Sequence, residues 1–149
     1  RFFMNDFQYP EDKLFFMNLF GCGDETDFDK QFGQLFDFRT PSLKRKEFNP
    51  KRNAIYNKLL ESGSECQLQL VENCSASGKF DVDHMIPLSS NELNKNIRHL
   101  KAEKSKKVLT QSFGSNHSDN FLLACKECNA FKKHRIGDFL KDILRNRVW

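Results

Sequence analysis

Apolar positions come in short bursts between long polar stretches, and the spacing inside each burst predicts an element. Leu14 to Phe20 follow Pro10-Glu11-Asp12. This predicts a helix over 10–20 with proline in its first turn, acids at its positive end, and Gly21 or Gly23 past its last turn. Residues 21–48 read as loop, with Phe28, Phe32, Phe36 and Phe38 spaced for a short helix or for packing over the core. A second helix is predicted to about residue 62, capped by Asn49-Pro50, with Ile55, Tyr56, Leu59 and Leu60 on one face and Gly63 just beyond. Leu68, Leu70 and Val71 alternate with Gln and predict a strand. Phe80 and Val82 alternate with Asp81 and Asp83 in a second strand ending at His84, and Ser75-Ala76-Ser77-Gly78 supplies turn chemistry between the two. Downstream, the pattern predicts an inserted helix over 89–109, a polar loop over 111–118, a strand over 120–124, and helices over 126–135 and 138–145.

The length of 149 residues suits one domain with a modest core. Hydrophobic content of 38% and a mean hydropathy of −0.67 describe a soluble chain with a thin core, the kind that leans on a metal staple. The sixteen Phe read as core filling and AT-rich coding bias. No apolar run approaches the roughly 20 residues that span a bilayer. The best candidate, 14–20, is interrupted by Asn18 and lacks a basic leader or a small-residue cleavage site. Neither a membrane span nor a signal peptide is expected. An intracellular, cytoplasmic location is expected for the five Cys, a reducing compartment in which thiolates bind metal and do not pair as disulfides, and in which the sequons at Asn73 and Asn116 carry no meaning. The start at Arg1, without an initiator Met, is expected of a fragment of a longer protein.

The net charge of +4 hides an asymmetry. Residues 1–38 hold eight acids against three bases, a net of −5, which leaves +9 for the other 111 residues. That is the sign a polyanionic partner needs. Acids give way to Lys44-Arg45-Lys46 after Arg39-Thr40-Pro41. The chain divides accordingly into an acidic, Phe-rich extension over 1–48 and a domain over 49–149. The acidic part is expected to hold a partner, a second copy or a larger assembly, or to restrain the site by mimicking DNA.

Three segments carry candidate chemistry: Asp81-Val82-Asp83-His84-Met85-Ile86-Pro87-Leu88, Asp119-Asn120-Phe121-Leu122-Leu123, and Cys125-Lys126-Glu127-Cys128-Asn129. An Asp-His pair ending a strand offers a hard carboxylate ligand and, beside it, an imidazole able to take a proton. The later Asn and paired Cys offer a second metal ligand and a structural zinc clip. Such parts suit metal-assisted cleavage of a phosphodiester. In order and spacing they resemble the HNH endonuclease superfamily, the ββα-metal nucleases, from about Arg52 to Arg135. The nine residues from Asn120 to Asn129 match that family's usual interval.

The resemblance implies an α+β fold, a ββα-metal (HNH) core with a zinc knuckle and flanking helices. It implies that His84 is the general base, that Asp83 and Asn129 hold one Mg²⁺ or Mn²⁺ ion, and that the Asn120 amide braces the loop carrying the base. Hard oxygen donors are what those ions prefer. His134, one turn beyond Asn129, is either a further metal or phosphate contact or a surface residue; His99 and His117 lie outside the motif. Cys66, Cys74, Cys125 and Cys128 would hold structural Zn²⁺. Zinc-bearing relatives carry Cys-x-x-Cys in both halves, whereas seven residues separate Cys66 from Cys74. Buried free thiols remain the competing reading, and Cys22 reads as a core thiol.

Lys95, Arg98, Lys101, Lys104, Lys106 and Lys107 of the inserted helix, with Arg52, Lys132, Lys133 and Arg135, are expected either to grip backbone phosphates or to form a solvated face. The function expected is metal-dependent endonuclease action on double-stranded DNA, in restriction, phage defence, homing or as a module of a larger protein. The alternative is a zinc-stabilised nucleic-acid-binding or assembly module without catalysis; RNA as substrate ranks third.

Overall fold

The computed structural model describes residues 6–88 and 111–132, together with Leu140 and Ile143. Helix α1, Pro10–Leu19, has Tyr9 as an extended N-cap, proline in its first turn and Glu11 and Asp12 beside it. It ends in a Schellman motif. Gly21 takes a φ of 69°, Cys22 N–H reaches the Met17 carbonyl at 2.9 Å and Gly21 N–H that of Asn18 at 3.2 Å, as expected where only glycine adopts the left-handed position without cost.

Residues 21–48 contain more helix than the apolar spacing predicts. Helix α2, Glu25–Phe32, is capped by the Asp24 carboxylate and buries only Phe28 and Phe32. Helix α3, Pro41–Phe48, buries Phe48 and, unusually, Lys44. A stripe whose second member is a cation gives no hydrophobic periodicity to read. Its ammonium is satisfied by two carbonyls, Asp37 O at 2.6 Å and Gly114 O at 2.7 Å. Asn49 does not cap the next helix, because its backbone is already helical (φ −53°, ψ −43°) and a single 3-10 turn, Asn49–Lys51, joins α3 to α4, Arg52–Glu61. Ile55, Tyr56, Leu59 and Leu60 form the half-buried face of α4, as their spacing predicts.

Strands β1, Phe80–His84, and β2, Phe121–Cys125, form a two-stranded antiparallel sheet in which Phe80 faces Cys125 and His84 faces Phe121. Helix α5, Lys126–Lys132, follows β2 directly. The described architecture is therefore α+β: helices around a small sheet. The strand expected at Leu68, Leu70 and Val71 is absent. Gln69 adopts a φ of 49°, which breaks the extended run, and Leu70 N–H turns to the Cys128 sulfur at 3.2 Å. Only Gln67 lies along β2. Its N–H meets the Leu123 carbonyl at 2.8 Å, and its side-chain oxygen accepts Leu123 N–H at 2.7 Å. The inserted helix over 89–109 lies outside the described residues, as does most of the helix expected over 138–145, of which Leu140 and Ile143 are helical.

Residue 48 does not mark a break in packing. Phe16, Met17, Leu19, Phe28, Phe32 and Leu35 share one core with Met85, Ile86, Phe113, Leu122 and Ala124. Residues 34–37 run antiparallel to 113–115: Asp37 N–H bonds to Phe113 O at 2.8 Å and Ser115 N–H to Leu35 O at 3.0 Å, with an isolated bridge between Phe36 and Gly114. Phe7 packs against the rings of Phe38 and Phe36 at 4.9 and 5.1 Å. The acidic segment thus turns its phenylalanines inward, where ring pairs add to the burial itself, and exposes its acids except for buried Asp12 and half-buried Asp37.

Gly114 is where this segment meets the loop after β1. A Cβ there would overlap the Ile86 carbonyl oxygen and stand 2.7 Å from that of Pro87. Both obstacles are backbone, so neither swings aside. Gly114→Ala is expected to lower stability by at least ~1–3 kcal/mol, read as a drop in the urea midpoint. An unchanged midpoint would show that the 86–87 backbone yields freely.

Candidate functional site

The four cysteines of the expected clip converge. The Sγ atoms of Cys66, Cys74, Cys125 and Cys128 all lie within 4.8 Å of one another. Zinc–sulfur bonds of about 2.3 Å in a tetrahedron set the sulfurs about 3.8 Å apart, and the Cys74–Cys125 separation is 3.8 Å. Backbone N–H groups point at the sulfurs: Leu70 N to Cys128 Sγ at 3.2 Å, Cys125 N to Cys66 Sγ and Cys128 N to Cys125 Sγ, each at 3.3 Å. Such donors stabilise thiolates. Burial works against ionisation of Cys125, yet the Cys128 and Ser75 amides and the neighbouring thiols hold it down to about 7. Burial pushes Cys128 up to about 12. Four sulfurs this close cannot all ionise without a cation among them, and the donor set fits a structural zinc ion. The wide Cys66–Cys74 spacing is accommodated by the Gln67 contact with β2, the positive φ of Gln69 and the bond from Cys74 N–H to Val71 O; a further turn follows Cys74 through Ser75 and Gly78, both also at positive φ. Glu127 fastens that turn to the start of α5, accepting from the Ser77 amide and hydroxyl at 3.1 Å each. Cys22, half-buried, lies outside the cluster.

Three elements meet beside this clip. His84 and Asp83 come from the end of β1 and Asn129 from α5, and all three line one cavity of about 200 Å³. Its remaining walls are Val82, Pro87 and Leu88 and, from the α3–α4 run, Arg45, Phe48, Asn49 and Arg52. Arg45, on α3, and Arg52, at the start of α4, are both exposed and flank the 3-10 turn between the two helices. The Arg52 guanidinium stands 5.4 Å from the Phe48 ring centre.

Asn120 is fully buried, and its carboxamide spans the loop after β1. Its oxygen accepts Ile86 N–H at 2.8 Å, and its nitrogen donates to Ile86 O at 3.1 Å and Ser115 O at 2.8 Å. Its own carbonyl accepts Met85 N–H at 2.8 Å. The backbone following His84 is therefore pinned on both sides of the peptide. The His84 ring sits between Phe48 and Phe121, with centroids at 4.7 and 5.2 Å. Burial, with the charges of Lys132, Lys44 and Arg52, lowers its pKa to about 4 against an opposing hydrogen bond from Asn116. The imidazole is neutral at physiological pH.

Lys132 departs from its expected place. It is 1% exposed, with its ammonium 3.1 Å from Asp83 Oδ2 and donating to the His84 carbonyl at 3.1 Å. Because α5 packs against the sheet, position 132 faces β1. It neutralises the site carboxylate and does not present a cation to solvent. Lys95, Arg98, Lys101, Lys104, Lys106, Lys107, Lys133, His134 and Arg135 lie outside the described residues. His117 is exposed, and its Nδ1 accepts Asp119 N–H at 3.1 Å. Sequence reasoning passed over Arg45, Phe48 and Asn49, whose helical register with Arg52 is the available signal, and Asn116, which only a sequon marked.

Among the described residues no helix is long and apolar enough to cross a membrane. Comparison with protein-family models, with curated proteins and with solved structures returns no match.

A structural zinc site supplies on the order of 10 kcal/mol of folding free energy, as much as a domain's entire net stability. Protein purified without chelator should carry about one zinc per chain by atomic absorption, and stripping it, or Cys125→Ser, should abolish the cooperative unfolding transition. Metal-free protein that melts at the same temperature would mean four free thiols that hold no metal.

Proposed function

We propose that this chain is a metal-dependent DNA endonuclease of the HNH, ββα-metal type, hydrolysing phosphodiester bonds to leave 5′-phosphate ends. The observation that carries the proposal is the common cavity of Asp83, His84 and Asn129, contributed by a strand and a helix 45 residues apart in sequence. A carboxylate, a neutral imidazole and a carboxamide facing one space are what cleavage by activated water requires.

Each side chain has a task in this reading. Arg45 and Arg52 at the cavity wall attract and seat backbone phosphates, which positions DNA without reading its sequence. His84 takes a proton from water as the water oxygen bonds to phosphorus; the bond from phosphorus to the 3′ oxygen breaks, and the phosphate stays on the 5′ side. Asn120 keeps the peptide after His84 from moving. Asp83 and Asn129 offer hard oxygens to one divalent ion, which when bound would supply charge neutralisation on the phosphate and the departing oxygen. The zinc clip fixes α5, and with it Asn129, against β1.

The second reading, a zinc-stabilised nucleic-acid-binding or assembly module without catalysis, draws on the Lys132 ammonium. It already neutralises Asp83, so a divalent ion must compete with it for the carboxylate.

Plasmid cleavage in Mg²⁺ or Mn²⁺ separates the two. The wild type should nick or linearise DNA, and His84→Ala should lower the rate by roughly 10²–10⁴-fold, the usual contribution of a general base. Cleavage at the wild-type rate by His84→Ala would remove His84 from the chemistry; a wild type that binds DNA but leaves it intact would favour the binding module.

A further inference from the structure

Asn116 lies outside the three segments that carry the candidate chemistry, in the loop before β2, yet it meets the edge of the His84 ring. Its Oδ1 is 2.8 Å from His84 Nε2. At its other end, Asn116 Nδ2 donates to the Lys44 carbonyl at 2.9 Å. That second contact fixes which way the amide faces. A backbone carbonyl only accepts, so it must be met by the NH₂ group, and the oxygen is left for histidine. An amide oxygen also only accepts, so Nε2 must carry the hydrogen between them. A neutral imidazole protonated on Nε2 keeps its lone pair on Nδ1.

We propose that Asn116 is a positioning residue that sets the tautomer of His84, placing the proton on Nε2 and the basic lone pair on Nδ1. The device reaches back to α3 in the N-terminal third of the chain. The carbonyl that orients Asn116 belongs to Lys44, whose own ammonium is clamped between Asp37 O and Gly114 O. Helix α3 is thereby tied to the segment running into Asn116. Edge-on contacts from Phe48 and Phe121 confine the ring to this plane. Histidines that perform chemistry take their tautomer from the hydrogen bond made by the nitrogen that does not react; here that partner is a carboxamide, which cannot itself exchange a proton with the ring. The value of the assignment to catalysis rests on the endonuclease reading, in which His84 Nδ1 would face the attacking water.

Two-bond proton–nitrogen correlation spectra of the zinc-loaded, ¹⁵N-labelled protein read the tautomer directly. The wild type should show the Nε2–H pattern at His84. Asn116→Ala should give a mixture of the two tautomers, while Asn116→Asp, which retains an acceptor, should restore the single form. In the cleavage assay Asn116→Ala should lower kcat by ~10–100-fold with KM unchanged, and Asn116→Asp should recover most of it. An Nδ1–H pattern in the wild type, or an Asn116→Ala variant with unaltered spectrum and rate, overturns the inference. A wild type that shows the Nε2–H pattern, scrambled by Asn116→Ala, but cuts no DNA supports the tautomer assignment while the endonuclease proposal falls.

Discussion

The convergence of four sulfurs is the constraint from which the rest of the site follows. Cys66 and Cys74 sit in turns with little regular structure of their own, whereas Cys125 ends β2 and Cys128 lies in the first turn of α5. A cation among them would tie two irregular segments to the only sheet among the described residues and set the angle at which α5 leaves β2. Asn129 is the next residue along that helix, and Asp83 pairs with Leu122 across the strands. The distance between the two oxygen donors is therefore governed by the clip more than by any contact they make themselves. In a chain with so modest a core, an ion held by these four cysteines would stand in for apolar area that the sequence does not supply.

Electrostatics then shape the cavity. Two buried lysines act on the residues that line it, and each is handled differently. Lys132 pairs with Asp83, whereas Lys44 is matched by backbone carbonyls, and burial lowers its pKa to about 8. Unpaired buried charge is costly, so both cations are committed to holding structure: one joins α5 to β1, the other joins α3 to the 113–115 segment. Arg45 and Arg52 stay exposed at the cavity wall. The result is a pocket whose interior favours a neutral imidazole and whose rim favours an anion.

Much of this was readable from residue order, and what was not has physical reasons. The α1 helix and its glycine stop, the β1 strand, the turn before it and the apolar face of α4 all follow from local periodicity and capping. Helix α3 escaped because its buried position 44 is a lysine, whereas α2 is the short helix that the Phe28 and Phe32 spacing offered beside plain core packing. Leu68, Leu70 and Val71 alternate like a strand, but Gln69 takes a positive φ and Leu70 N–H turns to the Cys128 sulfur. Among site residues, those in contiguous motifs were found. Asn116, Arg45, Phe48 and Asn49 were not, since their relation to His84 is made by tertiary contact. The inward turn of Lys132 was invisible for the same cause: sequence gives its charge, and only packing gives its direction.

The central claim is that Asp83 and Asn129 present their oxygens to one divalent ion while the cysteine clip holds zinc. Titrating zinc-loaded protein with Mn²⁺ and following paramagnetic broadening of amide resonances tests this most directly. One ion per chain should broaden signals around Asp83, His84 and Asn129 first, and Asp83→Ala and Asn129→Ala should each abolish that selectivity. Broadening centred elsewhere, or none at millimolar Mn²⁺, would contradict the account.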